Sequence, residues 1–187
     1  MMASNKKDDI KNTFIAMIKR TPIETLKTED LIRQAGVSKA TFYRLFKDKY
    51  DVMNSVYLDF SHPVVHSAPS LLNWKQWTIL DMENVRKHKA FFRNIISYTG
   101  QNSLHDSLRE FYGENIMREV RNQIPEHEIT EALLFSVDVM VETAVYIMIW
   151  WIKHDCQVDP EVMIEQIEAH VPDKMKRFYS PESGEKP

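Results

Sequence analysis

Lys39, Ala40, Tyr43, Arg44 and Lys47 recur at a spacing that gathers them on one side of a helix, while Phe42, Leu45 and Phe46 fall on the other. The chemistry of the first side suits a nucleic acid. Lysine and arginine pair with phosphates or with guanine, a tyrosine hydroxyl can hold a phosphate, and an alanine methyl can meet a thymine methyl. A short helix with that face opposite an aromatic one has the make-up of a DNA recognition helix. A helical hairpin with a solvated basic face would show the same pattern.

The neighbouring residues supply the frame for such a helix. Thr28 is placed to cap a preceding helix, and Glu29 and Asp30 fall in its first turn, where anionic side chains suit the helix dipole. Leu31, Ile32 and Ala35 give it an inward side. Gly36 follows the last turn, where a left-handed backbone is cheap for glycine. Val37 fills the corner and Ser38 caps the second helix. Upstream, Ile10, Phe14, Met17 and Ile18 form an apolar stripe that stops at Thr21-Pro22, which predicts a helix lying across the pair. Downstream, Asp48 is a cap for a fourth helix with Val52, Met53, Val56, Tyr57 and Phe60 on its apolar face.

The run AGVSKATFYRLFKDK at 35–49 resembles the DNA-binding segment of the tetracycline-repressor (TetR) family of bacterial regulators. Ala35, Gly36, Val37, Ser38, Thr41, Phe42, Tyr43, Phe46 and Lys49 match the family pattern, and the resemblance covers residues 10–57. It implies an all-α homodimer in three parts: a three-helix helix-turn-helix DNA-binding domain at 1–50, a helical effector-binding and dimerisation domain at 51–180, and a disordered tail at 181–187. By the same resemblance Thr28, Tyr43 and Lys49 hold phosphates, and Ser38 and Thr41 begin the recognition helix. Lys39, Ala40 and Arg44 stand at variable positions and would set the choice of sequence. The implied partner is a double-stranded palindromic operator, and the usual behaviour is repression relieved by a small-molecule effector.

Charge is distributed accordingly. Residues 1–57 carry 11 Lys+Arg against 7 Asp+Glu, and the remainder 13 against 20. The positive excess sits where DNA would bind, and the acidic part should face away from it. Four glycines in 187 residues favour helices over hairpins, and a single cysteine, Cys156, fits a reducing cytoplasm. No signal peptide stands at the start.

From Leu71 onward the apolar periodicity is helical. Trp74, Trp77, Leu80, Met82 and Val85 mark one helix, Phe91, Phe92, Ile95 and Ile96 the next, and Leu104 to Ile124 a long amphipathic one. His62 to Ser70 reads as a connector. Ile129–Lys153 is apolar nearly all round, yet Asp138 and Glu142 spoil a membrane span, so protein should cover it. With the helix at 160–171, which Asp159 would cap, it is expected to form a dimer interface. Asp138 and Glu142 read as one wet strip on that helix, or as an anchor for a ligand.

Trp74, Trp77, Phe92, Tyr112, Tyr146 and Trp150, with Trp151 and several methionines, are candidates for an effector pocket, although aromatic stripes also make plain core. His62 and His66 are four apart, but Pro63 intervenes and no Glu or Cys completes the set nearby, so no metal is expected. His154, Asp155 and Cys156 are adjacent and do not face one another as nucleophile and base would. No phosphate loop, GxSxG or paired-carboxylate motif appears, which argues against an enzyme or a cofactor. The segments NWKQW, ENVRKHKAFFRNII and WWIKHDCQVDPEVMIEQI are similar to a subgroup that includes the dihydroxyacetone-kinase regulators. That likeness leaves open an activator working through a partner protein. A dimerising adaptor without DNA binding is a further alternative.

Overall fold

The computed structural model describes residues 5–66 and 74–179. Among them run ten α-helices: α1 Lys6–Ile18, α2 Thr28–Gln34, α3 Lys39–Leu45, α4 Lys49–His66, α5 Trp74–Lys87, α6 Lys89–Ile95, α7 Leu104–Gln123, α8 Glu131–Lys153, α9 Pro160–Ala169 and α10 Asp173–Tyr179. A short 3-10 turn at Glu126–Glu128 joins α7 to α8. The fold is all-α, with an N-terminal helix-turn-helix unit followed by a larger helical part.

Local chemistry sets the ends of these helices. Ser103 and Asp106 form a reciprocal capping box at the start of α7, and Thr130 caps α8. Asp48 Oδ1 accepts the Tyr50 and Asp51 N–H groups at 2.8 and 2.9 Å, so α4 starts as its sequence predicts. Ile10, Phe14 and Ile18 of α1 are fully buried with Leu31, Phe42 and Phe46, which closes the three-helix unit. Val52, Met53, Val56 and Tyr57 of α4 are buried too, and Lys11 of α1 is tied to Asp59 of α4 at 2.7 Å. The boundary expected at residue 50 therefore falls inside a continuous helix.

The N-terminal unit also rests on α6 and the loop after it. The Ile23 amide donates to the Asn94 carbonyl at 3.0 Å, Ser97 donates to Glu24 at 2.9 Å, and the Tyr50 and Tyr98 rings stack at 4.0 Å. In the C-terminal part α7 and α8 form the most extensive helix pair. α8 is long and apolar enough to cross a membrane, but here it packs on α6, α7, α9 and α10.

Several expectations are corrected. α4 continues through Pro63 to His66, where a connector was expected from His62; the proline costs the bond to the Asp59 carbonyl and crowds it, which weakens the last turn locally but does not end the helix there. Thr28 is the first residue of α2 rather than its cap. The capping position falls on Lys27, whose carbonyl takes the first helical bonds from Asp30 and Leu31. Asp159 occupies the cap position of α9 but makes no side-chain cap bond, its carboxylate lying 3.7 Å from Arg86. Leu80 is exposed, and Asp81 takes the buried place on α5 instead. α10, not expected at all, buries Met175 and Phe178 and packs on α7 and α8. The tail at 181–187 and the side chains of His62 and His66 lie outside the described residues.

Candidate nucleic-acid interface

Gly36, at φ +63°, turns the chain between α2 and α3 in the left-handed region where glycine is unstrained. The Ser38 hydroxyl then accepts the Thr41 N–H at 3.0 Å and donates to Thr41 Oγ1 at 2.9 Å. Both hydroxyls expected at the start of the recognition helix are thus engaged in holding that start. Behind it, Phe42 is buried and packs edge-on against Tyr43, with ring centres 5.3 Å apart. Lys39, Ala40, Tyr43, Arg44 and Lys47 are all exposed. Tyr43 is 57% exposed, unusual for a tyrosine beside a full aromatic core, so its ring and hydroxyl are presented outward.

Lys39 is not a free cation here. Its ammonium lies 2.9 Å from Glu29 Oε1 of α2. The hydrogen bond with Glu29 raises the lysine pKa and the bond with Lys39 lowers that of the carboxylate, so both stay charged. Glu29 was read only as an acid favourable to a helix start. Its pairing partner was legible in neither helix alone. Thr28 lies half-buried one residue before it.

Lys49, for which the family resemblance implies a phosphate contact, is engaged within the protein in this structure. Its ammonium donates to the carbonyls of Ile23 at 2.7 Å and Leu26 at 2.8 Å, with Glu24 at 3.3 Å, and it lies over the Tyr50 ring at 5.0 Å. Burial holds its pKa below the usual lysine value. Three carbonyl acceptors match the three protons of an ammonium, so its donors are spent inside the protein.

The residues expected to line an effector pocket divide into two groups. Trp77 stacks on Phe111 at 5.6 Å and meets Tyr112 edge-on at 6.3 Å, and Phe92 packs on Tyr57 at 6.3 Å, so these lie in one aromatic core between α4, α5, α6 and α7. Tyr146 and Trp150 do not join them. They lie on the outer side of α8, Tyr146 at 69% exposure, in a stripe with Phe135 and Val139. The helix turns them roughly opposite to Met140, Met148 and Trp151, which are among its buried residues. The side chain of Trp74 lies outside the described residues.

Within the aromatic core stands Asp81, which the sequence reading missed. It is 1% exposed, accepts a bond from the Tyr112 hydroxyl at 3.3 Å through Oδ2, and leaves Oδ1 without a hydrogen-bond partner. Burial pushes its pKa up to about 7 and that of Tyr112 well above its usual value. A lone acid four residues from Trp77 and four from Val85, on an apolar stripe, was the available signal. Asp138 and Glu142, by contrast, pair with Arg109 of α7, at 3.7 and 2.6 Å. Cys156 is buried and its thiol is pushed up to about 11, while Asp155 pairs with Lys89 at 2.9 Å; no activated nucleophile results.

A tri-helical unit with a glycine turn and an outward basic, tyrosine-bearing α3 defines a helix-turn-helix DNA-binding protein. The comparisons agree with this. Residues 15–56 match the family described as bacterial regulatory proteins, tetR family, and residues 72–173 match the transcriptional regulator C-terminal region. The chain belongs to the TetR family of bacterial transcription regulators. Its fold is similar to that of the dihydroxyacetone kinase operon activator DhaS, with TM-score 0.63, 12% identity, and 94% of this chain and 98% of that one covered. It is also similar to a tetR-family regulator from Streptomyces coelicolor, with TM-score 0.60, 14% identity, and coverage of 98% and 93%. A third similar structure is the fatty acid degradation regulator FadR from Bacillus halodurans, with TM-score 0.53, 12% identity, and coverage of 97% and 98%. Among curated proteins none matches the sequence.

Proposed function

We propose that the protein is a cytoplasmic, homodimeric repressor that binds a palindromic operator and leaves it when a small molecule binds. The observation that carries the DNA-reading part is the outward set Lys39, Ala40, Tyr43 and Arg44 on α3, backed by buried Phe42 and Phe46. Two such helices in a dimer would enter successive major grooves about 34–36 Å apart. Lys39, Ala40 and Arg44 would meet bases, and Tyr43 a phosphate.

The dimer reading is supported by the outer side of α8. Phe135, Val139, Tyr146 and Trp150 expose apolar surface along one side of α8, interrupted by Glu142 where it pairs with Arg109, and Val162 of α9 is exposed as well. Large apolar patches of this kind mark association surfaces. A second copy covers the stripe in this reading, and a membrane does not.

The effector reading is supported by the aromatic core around Asp81. Trp77, Phe111 and Tyr112 would hold the apolar body of a small molecule, and Asp81 would hold a donor group. Release from DNA then requires that the effector prefer the DNA-incompetent form by a few kcal/mol. A shift of α4, which links this core to the helix-turn-helix, would change the spacing of the two α3 helices. The test is binding to the DNA upstream of the protein's own coding region, against scrambled duplex, across a salt series. Equal affinity for both duplexes would remove the regulator reading, and a promoter-reporter assay gives the sign, repression or activation.

A further inference from the structure

Glu29 and Lys39 belong to different helices, yet their side chains meet at 2.9 Å on the open side of the helix-turn-helix. Both are largely exposed, at 73% and 68% of their side chains, so the pair does not staple the fold. Its interest lies in where it stands. Lys39 begins the helix whose exposed face also carries Ala40, Tyr43 and Arg44. Any duplex that approaches this face meets a carboxylate together with the cations.

A carboxylate near DNA is repelled by the phosphates and is tolerated where it finds a hydrogen-bond donor. In the major groove the cytosine N4 amino group is the donor that acidic side chains accept from, and guanine offers lysine two acceptors, O6 and N7. In a G·C pair those acceptor and donor edges lie side by side. A lysine and a glutamate held 2.9 Å apart present the complementary donor and acceptor. Adenine and thymine edges match less well, because the lysine would then have one acceptor per base.

We propose that Glu29 is a sequence-reading residue that works jointly with Lys39. Lys39 donates to guanine while Glu29 accepts from the N4 amino group of cytosine, in the same or the neighbouring base pair of each half-site. The inference rests on the reading of α3 as the recognition helix. Glu29 thereby has two effects: it rewards one base pair, and through phosphate repulsion it penalises every duplex lacking it. That combination raises discrimination more than affinity.

The experiment is selection of bound duplexes from a pool with randomised half-sites, using wild type, Glu29→Ala and Lys39→Ala, with affinities for operator and random DNA measured alongside. Wild type should select G·C at one position per half-site. Glu29→Ala should relax that preference by about tenfold or more, in line with the value of one good base contact. It should also bind random duplex more tightly, while its thermal midpoint stays at the wild-type value. Lys39→Ala should relax the same or the adjacent base pair. The proposal is overturned if Glu29→Ala selects the wild-type sequence, if the two variants relax separated positions, or if the shared position is A·T. A wild-type protein that selects no sequence would overturn the DNA-reading function as well.

Discussion

The Lys49 ammonium lies 2.7 Å from the carbonyl oxygen of Ile23, on the far side of the loop that joins α1 to α2. With Leu26 and Glu24 it closes that loop over the start of α4. Lys49→Ala should therefore lower stability by about 1.5–3 kcal/mol, the usual loss for charge-assisted bonds that leave acceptors unpaired. It should weaken DNA binding only as far as the α1–α2 loop loosens. The number of ions released on binding should stay at the wild-type value. A salt slope reduced by roughly 1 per subunit, with stability unchanged, would instead place this lysine on a phosphate.

Tyr43 presents its hydroxyl to solvent beside Lys39 and Arg44. Tyr43→Phe keeps the edge-on packing with Phe42 and removes one donor. If that hydroxyl holds a phosphate, operator and scrambled duplex should both lose about 1 kcal/mol. A loss confined to the operator would make Tyr43 a base reader.

The dimer surface can be tested without disturbing the protomer. Ile149 is half-buried and packs on the core, so a charge there would confuse unfolding with dissociation. Phe135 and Tyr146 stand out from α8, at 70% and 69% exposure. Phe135→Glu with Tyr146→Glu should give a folded monomer in sedimentation, with wild-type helicity and little operator affinity. A double variant that remains a dimer would move the interface elsewhere.

How much of this was legible in the sequence depended on whether the cause was local. Gly36, Ser38 and Asp48 do what their types announce, because turns and caps are settled within a few residues. The inward sides of α1, α3 and α7 follow from periodicity for the same reason. The carbonyl partners of Lys49 were not legible because they belong to a loop more than twenty residues away, and only the packing of α1 on α4 brings them there. The outward placement of Tyr146 and Trp150 was not legible because a helix apolar nearly all round gives no inward direction. α10 was missed because two apolar anchors, Met175 and Phe178, are too few to show a period. Asp81 was hidden by its neighbour Leu80, which looked like the better core residue and is exposed.

Asp81 supplies the last prediction, a dependence of stability on pH that runs against the usual carboxylate. Burial raises its pKa to about 7 from an ordinary 3.8, and the single bond from Tyr112 does not offset the loss of water. Between those two values the folded protein holds a proton that the unfolded chain has released. Folding is then favoured less as pH rises through this window, because the native state must either keep the proton or bury a charge. The penalty is absent below about pH 4 and complete above about pH 7, where a shift of this size corresponds to a few kcal/mol. Asp81→Asn keeps the shape, cannot ionise, and leaves an acceptor for the Tyr112 hydroxyl. It should be more stable than wild type at pH 8, and the difference should shrink steadily as pH falls to 5. Urea unfolding of both proteins across that range, followed by circular dichroism, measures the difference directly and cancels the titration of every other group. A constant gap between the two curves would mean that Asp81 stays ionised in the fold, with water or a solute at its Oδ1.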